Sequence, residues 1–305
     1  MTSARIALAT CSSLPDLEVD DAPLIPALAA RGVTADVVVW DAPDVDWSVY
    51  DAVVIRSTWD YTDRPAEFLD WTRRVEAVSR LFNPASVVAW NVDKAYQRQM
   101  QDAGLPIVPT IWLDPESNFN SRRIHSRFPA FGDFVIKPTI SAGSRDTGRY
   151  AAGETPSRML AIAHARDLLG AGRHVMIQRY LRQVDSAGES ALVFFDGKFS
   201  HSLRKAALLD GPFRSTDNAV LYHEEVMTAR EASPAELEVA QRVVAALPDL
   251  VPGIDGPLLY TRVDLIPDDE GNPVVLEVEV IEPSFFFELA PEAVDRFADA
   301  LVARL

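Results

Sequence analysis

The chain of 305 residues is 48% hydrophobic and 24% charged, enough apolar content for two or three packed subdomains. Its formal net charge of −16 argues against general nucleic-acid binding, which needs a basic surface to release counterions. The single Cys11 excludes an internal disulfide and a Cys-based zinc site. No apolar run approaches the roughly 20 residues of a membrane helix, and residues 1–14 hold no long apolar signal core. A cytoplasmic protein without nucleic-acid or membrane partners is expected.

Residues 5–10 read as a buried strand and 23–30 as a helix ending at Gly32. Residues 35–40 and 52–55 read as further buried strands, and 65–79 as a helix with Pro65 at its start. This alternation predicts a small parallel α/β sheet, whose ligands lie beyond the carboxyl ends of its strands. That edge carries Arg56, Ser57, Thr58, Trp59, Asp60 and Tyr61, either a substrate-facing wall or an ordinary strand-to-helix loop. Cys11 follows an apolar run and reads as a core residue before a nucleophile.

Further on, residues 92–103 form a predicted helix closed by Gly104, and 107–112 are extended. A short strand over 134–137 ends at Pro138 and leads into a loop of small and polar residues with Gly143 and Gly148. A helix over 157–169 and a strand over 175–178 follow. One hairpin pairs 191–195 with 199–203 through the Asp196–Gly197 turn. Residues 234–247 place Leu237, Ala240, Val244 and Leu247 at helical spacing. A second hairpin pairs 258–266 with 274–280, and a helix spans 291–305.

The phosphate loop GxxxxGK[ST], the GxGxxG fingerprint and the GxSxG elbow are absent. The five His residues lack ligand spacing, and His201 reads as packed or surface before base. Of the 29 basic residues only Lys94, Lys137, Lys198 and Lys205 are lysines. Lysine offers a compact point charge suited to a phosphate in a narrow site, although genome composition explains scarcity equally well.

The second hairpin is the most informative segment. Glu277 and Glu279 share a face, with Leu276, Val278 and Val280 on the other. Centring the turn on Glu270 and Gly271 sets Asp264 opposite Glu277 and diagonal to Glu279. Like charges directly opposite destabilise a sheet, and Mg²⁺ held by carboxylates plus phosphates offsets such crowding. The apolar flanks suggest central strands and favour a metal over a solvated acid face. Arg262 lies two residues before Asp264 on the same face.

With these stretches the sequence resembles the ATP-grasp superfamily over nearly its whole length. The likeness rests on the motifs at Ser57 to Tyr61, Asn83-Pro84, Trp90-Asn91, Asp93-Lys94 and Lys137-Pro138. It extends to Gln178 through Leu181, Gly188-Glu189, and Glu277 and Glu279 with Glu282-Pro283-Ser284. Within the superfamily the sequence is similar to the glutathione-synthetase-like branch, and there to the cyclo-ligase that closes the D-cycloserine ring from O-ureido-D-serine.

The resemblance implies an α/β fold with α+β subdomains. An N-terminal Rossmann-like domain would span 1–91, a small lid subdomain 92–181, and a C-terminal antiparallel-sheet subdomain 182–305. It implies that Lys94 and Lys137 contact ATP phosphates, Gln178 and the Tyr180–Leu181 backbone hold adenine, and Glu189 binds ribose. The 139–147 loop, with Ser141, Gly143 and Ser144, would close over the phosphates as a lid. Asp264, Glu277 and Glu279 would hold two Mg²⁺ ions; many relatives carry Asn at the Glu279 position. Arg262, Arg204, Lys205 and Arg214 are candidates to hold the substrate carboxylate and developing charge. Ser57, Thr58, Trp59, Asp60 and Tyr61 would wall the substrate pocket.

The implied activity is acyl-phosphate formation followed by nitrogen attack, as ring closure of a small amino-acid derivative in antibiotic biosynthesis. An intermolecular carboxylate–amine ligase and a non-catalytic nucleotide-binding module are the alternatives. The oligomeric state is left open, with a homodimer or homotetramer as the candidates.

Overall fold

The computed structural model describes residues 4–117, 119–206, 209, 211–212 and 226–305. The first part contains β1 (Ala4–Thr10), α1 (Leu24–Ala29), β2 (Val33–Val39), β3 (Ala52–Ser57), α2 (Pro65–Glu76) and β4 (Arg80–Phe82). These strands form a parallel sheet in the order β2-β1-β3-β4. Next come α3 (Ala85–Asn91), α4 (Tyr96–Asp102), β5 (Thr110–Leu113), α5 (Ser121–His125), β6 (Asp133–Pro138), β7 (Gly148–Ala151), α6 (Thr155–Gly170) and β8 (Val175–Arg179). Their sheet is antiparallel, in the order β5-β8-β6-β7. The last part holds α7 (Val184–Ala187), β9 (Glu189–Phe195), β10 (Lys198–Lys205), β11 (Met227–Ala229), α8 (Pro234–Leu250), β12 (Tyr260–Pro267), β13 (Pro273–Glu279) and α9 (Ala293–Val302). Its sheet runs β11-β10-β9-β12-β13.

The alternation of side chains along β1 and β3 sorts them into two cores, as a parallel sheet covered on both faces requires. Ile6, Leu8, Ala52 and Val54 pack with Leu24 of α1 and with Phe297 and Leu301 of α9. Ala7, Ala9, Val53 and Ile55 pack with Phe68, Trp71 and Val75 of α2, and Cys11 is buried in this second core. The C-terminal helix therefore closes the first sheet and joins the ends of the chain.

The helix expected over 92–103 is shorter, starting only at Tyr96, and a break separates it from α3, which ends at Asn91. Asp93 caps the break, its Oδ1 accepting from the Ala95 N–H at 2.8 Å. The Lys94 N–H is committed to the Thr139 carbonyl at 3.0 Å. The interruption thus hands Lys94 to the loop that follows β6.

The acid hairpin was expected to lie in central strands. β12 is central, but β13 is an edge. Its outer edge is covered by side chains from α3 and α4. Asn91 bonds the Val278 carbonyl at 2.8 Å and the Val280 N–H at 3.2 Å. The Tyr96 hydroxyl donates to the Val278 carbonyl at 3.0 Å and accepts from its N–H at 2.8 Å. Gln97 donates to the Leu276 carbonyl at 2.9 Å. Unpaired edge groups are thereby satisfied in a buried setting. Tyr96→Phe strips the Val278 N–H of its partner, leaving the carbonyl to Asn91, and is expected to cost about 1–3 kcal/mol of unfolding free energy, read by urea denaturation.

Candidate active site

The polar face of the last sheet is built by register. Lys205 stands opposite Glu189, Ala191 opposite Asp264, and Val193 opposite Arg262. Across the next ladder Asp264 is opposite Glu277 and Arg262 opposite Glu279. The expected pairing of Asp264 with Glu277 holds through a compensation. The ladder nearest the turn pairs Leu265 with Val275, and a bulge between Asp264 and Leu265 restores the register beyond it. The bulge also corrects the reading of Leu276. It does not join Val278 and Val280 on the α8 side but packs with Val135, Tyr180, Leu181 and Ile266, between the two antiparallel sheets.

The crowded acids have protein counter-ions, which the sequence did not reveal. Lys94 Nζ lies 2.9 Å from Glu277. Lys205 Nζ lies 2.8 Å from Asp264 and 3.3 Å from Glu189. Arg262 Nε lies 2.9 Å from Asp264, and its Nη2 bonds Glu279. Asp264 is thus bound through both oxygens by cations, and burial, which would raise it, is outweighed so that it sits at about 2. Among the described residues no group of three His, Cys, Asp or Glu side chains stands in a metal-holding arrangement. The expected trio of ligands is therefore not assembled here, because Lys205 and Arg262 occupy Asp264.

The cations do not neutralise the whole cluster. Burial, with the charges of Asp264 and Glu277, raises Glu279 to about 7 against the pull of Arg262. Burial and the charge of Glu279 raise Glu282 to about 8. Carboxyls held this high mark a place where further positive charge is stabilising, which fits a divalent cation at Glu277 and Glu279.

The second sheet supplies the opposite wall. Lys137, in β6, has no ion-pair partner among the described residues, and burial lowers it to about 8. Lys94 Nζ also donates to the Ser141 carbonyl at 2.6 Å, so it spans the acid face and the loop. In that loop Gly143, Ser144 and Asp146 all take left-handed φ, at 57°, 57° and 54°, a turn only Gly adopts at no cost. Arg145 crosses to the first sheet's side, bonding Thr62 and pairing with Asp63 at 3.2 Å.

Gln178 is buried beside the apolar layer between the sheets. The Thr110 hydroxyl donates to the Val108 carbonyl at 2.9 Å, so its oxygen accepts from Gln178 Nε2 at 2.8 Å. That chain of donors turns the Gln178 carbonyl oxygen outward as an acceptor. Tyr180 is fixed by a bond to Asp185 and by the Arg149 guanidinium 3.7 Å over its ring. Gly188, at φ 76°, precedes Glu189; a β-carbon there would collide with the Lys205 carbonyl.

The predicted wall divides. Trp59 Nε1 donates to the Glu282 carbonyl at 3.2 Å, and the Tyr61 hydroxyl hydrogen-bonds the Glu282 carboxyl. Ser57 instead accepts from the Glu18 N–H at 3.0 Å, and Asp60 is tied to Trp40 at 2.9 Å and Arg64 at 2.8 Å. These two serve the first domain's own interior, and the Thr58 hydroxyl is buried there. Arg56, part of the polar edge after β3 but not of the pocket wall that the resemblance implies, forms a buried bidentate pair with Asp21 and donates to the Pro283 carbonyl at 2.9 Å. Arg204 sits one residue from Lys205, hence on the opposite face, and bonds the carbonyls of Ser186 and Ala187. It is not brought to the acid cluster. Arg214 lies outside the described residues. His201 is a packed histidine, with Nε2 2.7 Å from the Phe285 carbonyl and its pKa lowered by burial.

A cavity of about 630 Å³ lies on the outer side of the first sheet, lined by Trp40, Asp41, Arg64 and Glu67 among others, and no acid-face residue borders it. Two solved structures share the whole architecture. D-alanine–D-alanine ligase from Bacillus anthracis matches with TM-score 0.68 at 15% identity over 99% of this chain and 97% of that one. A RimK-domain ATP-grasp protein from Sphaerobacter thermophilus matches with TM-score 0.66 at 19% identity over 98% of each chain. The fold is that of the ATP-grasp ligases, an enzyme class that works with ATP and Mg²⁺.

A match to the N-terminal domain of D-cycloserine synthetase DcsG covers residues 6–83. The cycloserine biosynthesis protein DcsG of Streptomyces lavendulae is 38% identical over 299 residues, 96% of each chain. The crystal structure of D-cycloserine synthetase DcsG matches with TM-score 0.87 at 36% identity over 99% of both chains. The chain belongs to the DcsG family of ATP-grasp ligases.

An unpaired ammonium at about 8 gains its proton when a phosphate arrives beside it. ATP binding above pH 8 should therefore take up a proton, and affinity should fall as pH rises through that range. Calorimetric titrations in buffers of different ionisation enthalpy should show the uptake, and Lys137→Met should abolish it.

Proposed function

We propose that this ligase closes the ring of a small amino-acid derivative, converting O-ureido-D-serine, ATP and water to D-cycloserine with release of ADP, phosphate and, from the carbamoyl group, carbon dioxide and ammonia. The observation that carries the phosphoryl-transfer part is the acid face with its exchangeable cations, set opposite the unpaired Lys137. The choice of substrate draws on the likeness to DcsG over 96% of the chain.

In this reading adenine lies in the apolar layer of Val135, Tyr180, Leu181, Ile266 and Leu276. Its amino group donates to the outward Gln178 oxygen. Lys137 and Lys94 hold the phosphates, and Lys94 leaves Glu277 to do so. Lys205 shifts from Asp264 and Glu189 toward the phosphates, which frees Glu189 for the ribose hydroxyls and Asp264 as a further ligand. Two Mg²⁺ ions held by Glu277 and Glu279, with Asp264 once released, would neutralise charge on the β- and γ-phosphates.

The substrate carboxylate attacks the γ-phosphorus, ADP leaves, and an acyl phosphate forms. Arg262 steadies the developing charge. The substrate's own nitrogen then attacks the acyl carbon and phosphate departs; the carbamoyl group left on the ring nitrogen is then lost to water as carbon dioxide and ammonia. The reaction is a problem of orientation, since both reacting groups belong to one molecule. Trp59 and Tyr61 confine that molecule from the first domain. The 139–147 loop, held across the cleft by Arg145, excludes the water that would hydrolyse the acyl phosphate.

O-ureido-D-serine alone should drive ADP release with an equal yield of D-cycloserine, measured by coupled assay and chromatography. ADP release that requires an added amine would replace ring closure with intermolecular ligation. Glu277→Gln should lower turnover at least about 100-fold with an unchanged unfolding midpoint; near-normal turnover would remove Glu277 from the metal site.

A further inference from the structure

Residues 282–285 form a strap whose four successive carbonyls are each gripped by a side chain. Trp59 Nε1 holds that of Glu282 at 3.2 Å, and Arg56 Nη2 that of Pro283 at 2.9 Å. Arg262 Nη1 holds that of Ser284 at 3.1 Å, and His201 Nε2 that of Phe285 at 2.7 Å. The grips come from the first domain, from β12 and from β10, so the strap is fixed where the domains meet. Such a grip leaves the Glu282 side chain little freedom to relocate.

The carboxyl it positions differs from its neighbours. Asp264, Glu277, Glu279 and Glu189 each face a Lys or Arg within 4 Å. Glu282 has no Lys or Arg within ion-pair distance among the described residues, and its hydrogen-bond partner is the neutral Tyr61 hydroxyl. It stands between the acid face, through Glu279 and Glu277, and the wall that confines the substrate, through Tyr61.

We propose that Glu282 is the base of the amide-forming step, with Tyr61 orienting its carboxyl. This rests on the ring-closure reading above. The nitrogen lone pair forms the C–N bond, and the C–O bond to phosphate breaks with its electron pair leaving on phosphate. The N–H proton passes to the Glu282 carboxylate and then to solvent, and the carbamoyl group still on the ring nitrogen is afterwards lost to water as carbon dioxide and ammonia, a step in which Glu282 has no part. Asp264 is clasped by Lys205 at 2.8 Å and Arg262 at 2.9 Å, whereas Glu282 lies in no such ion pair among the described residues and keeps its oxygens for the proton.

The test separates the two half-reactions. Added hydroxylamine, an unprotonated nucleophile needing no base, captures the acyl phosphate as a hydroxamate. With O-ureido-D-serine and Mg·ATP, Glu282→Gln should lower D-cycloserine formation about 100-fold or more and hydroxamate formation less than about fivefold. Tyr61→Phe should shift the same ratio about tenfold, and it carries the test if Glu282→Gln does not fold. Equal loss of both products, or D-cycloserine retained within about threefold in Glu282→Gln, overturns the assignment. If the wild-type enzyme forms an amide only with an added amine, ring closure fails. The ratio of that amide to hydroxamate then tests Glu282 by the same measure.

Discussion

The interaction on which the rest of the molecule depends is the clasp of Arg262 and Lys205 on Asp264. A carboxylate 2% exposed in the middle of a sheet is strongly unfavourable unless compensated. Two cations at 2.8–2.9 Å supply that compensation, and removing one partner of such a buried pair costs about 3–5 kcal/mol. Each cation also serves a second carboxyl, Glu279 for Arg262 and Glu189 for Lys205. The acid face is thus a continuous network in which charge can be reassigned without any group being left bare. A phosphoryl-transfer site benefits from this. In the proposed function a triphosphate would attract the same cations that stabilise the acid face, so binding would exchange partners without new charges being buried.

The same network ties the substrate side to the nucleotide side. Arg262 reaches from Asp264 to the Ser284 carbonyl, and Arg56 reaches from Asp21 to the Pro283 carbonyl. The strap between them carries Glu282. The strap thus links the acid face, through Arg262, to the first domain, through Arg56 and Trp59. Arg145 adds a third connection, from the phosphate loop to Thr62 and Asp63, one and two residues beyond that wall.

Much of this was legible in the chain. Apolar runs located three of the four strands of the first sheet and missed the three-residue β4, Asp196-Gly197 placed a hairpin turn, and the spacing of Glu277 and Glu279 put both on one face. The illegible parts depend on contacts between distant segments. Lys205 reaches Asp264 across β9 and from 59 residues away, which no local pattern encodes. The bulge that turns Leu276 toward the apolar layer between the two antiparallel sheets adds one residue to a strand whose alternation looks regular. The edge position of β13 was hidden because Asn91, Tyr96 and Gln97 complete its ladder from helices, allowing an edge to be as apolar as a centre. Arg204 and Lys205 looked equivalent as neighbours, but strand alternation sends one to each face. Ser57 and Asp60 looked like pocket residues because the loop is polar, yet the polarity satisfies groups inside the first domain.

The account's central claim is that Mg²⁺ and ATP take over the acids from the protein's own cations. A crystal structure with a non-hydrolysable ATP analogue and Mg²⁺ tests it most directly. It should show metal between Glu277 and Glu279, with Lys94 moved from Glu277, and Lys205 from Asp264, onto the phosphates. A bound nucleotide that leaves the Lys94–Glu277 and Lys205–Asp264 pairs intact, with no metal on the hairpin, would contradict it.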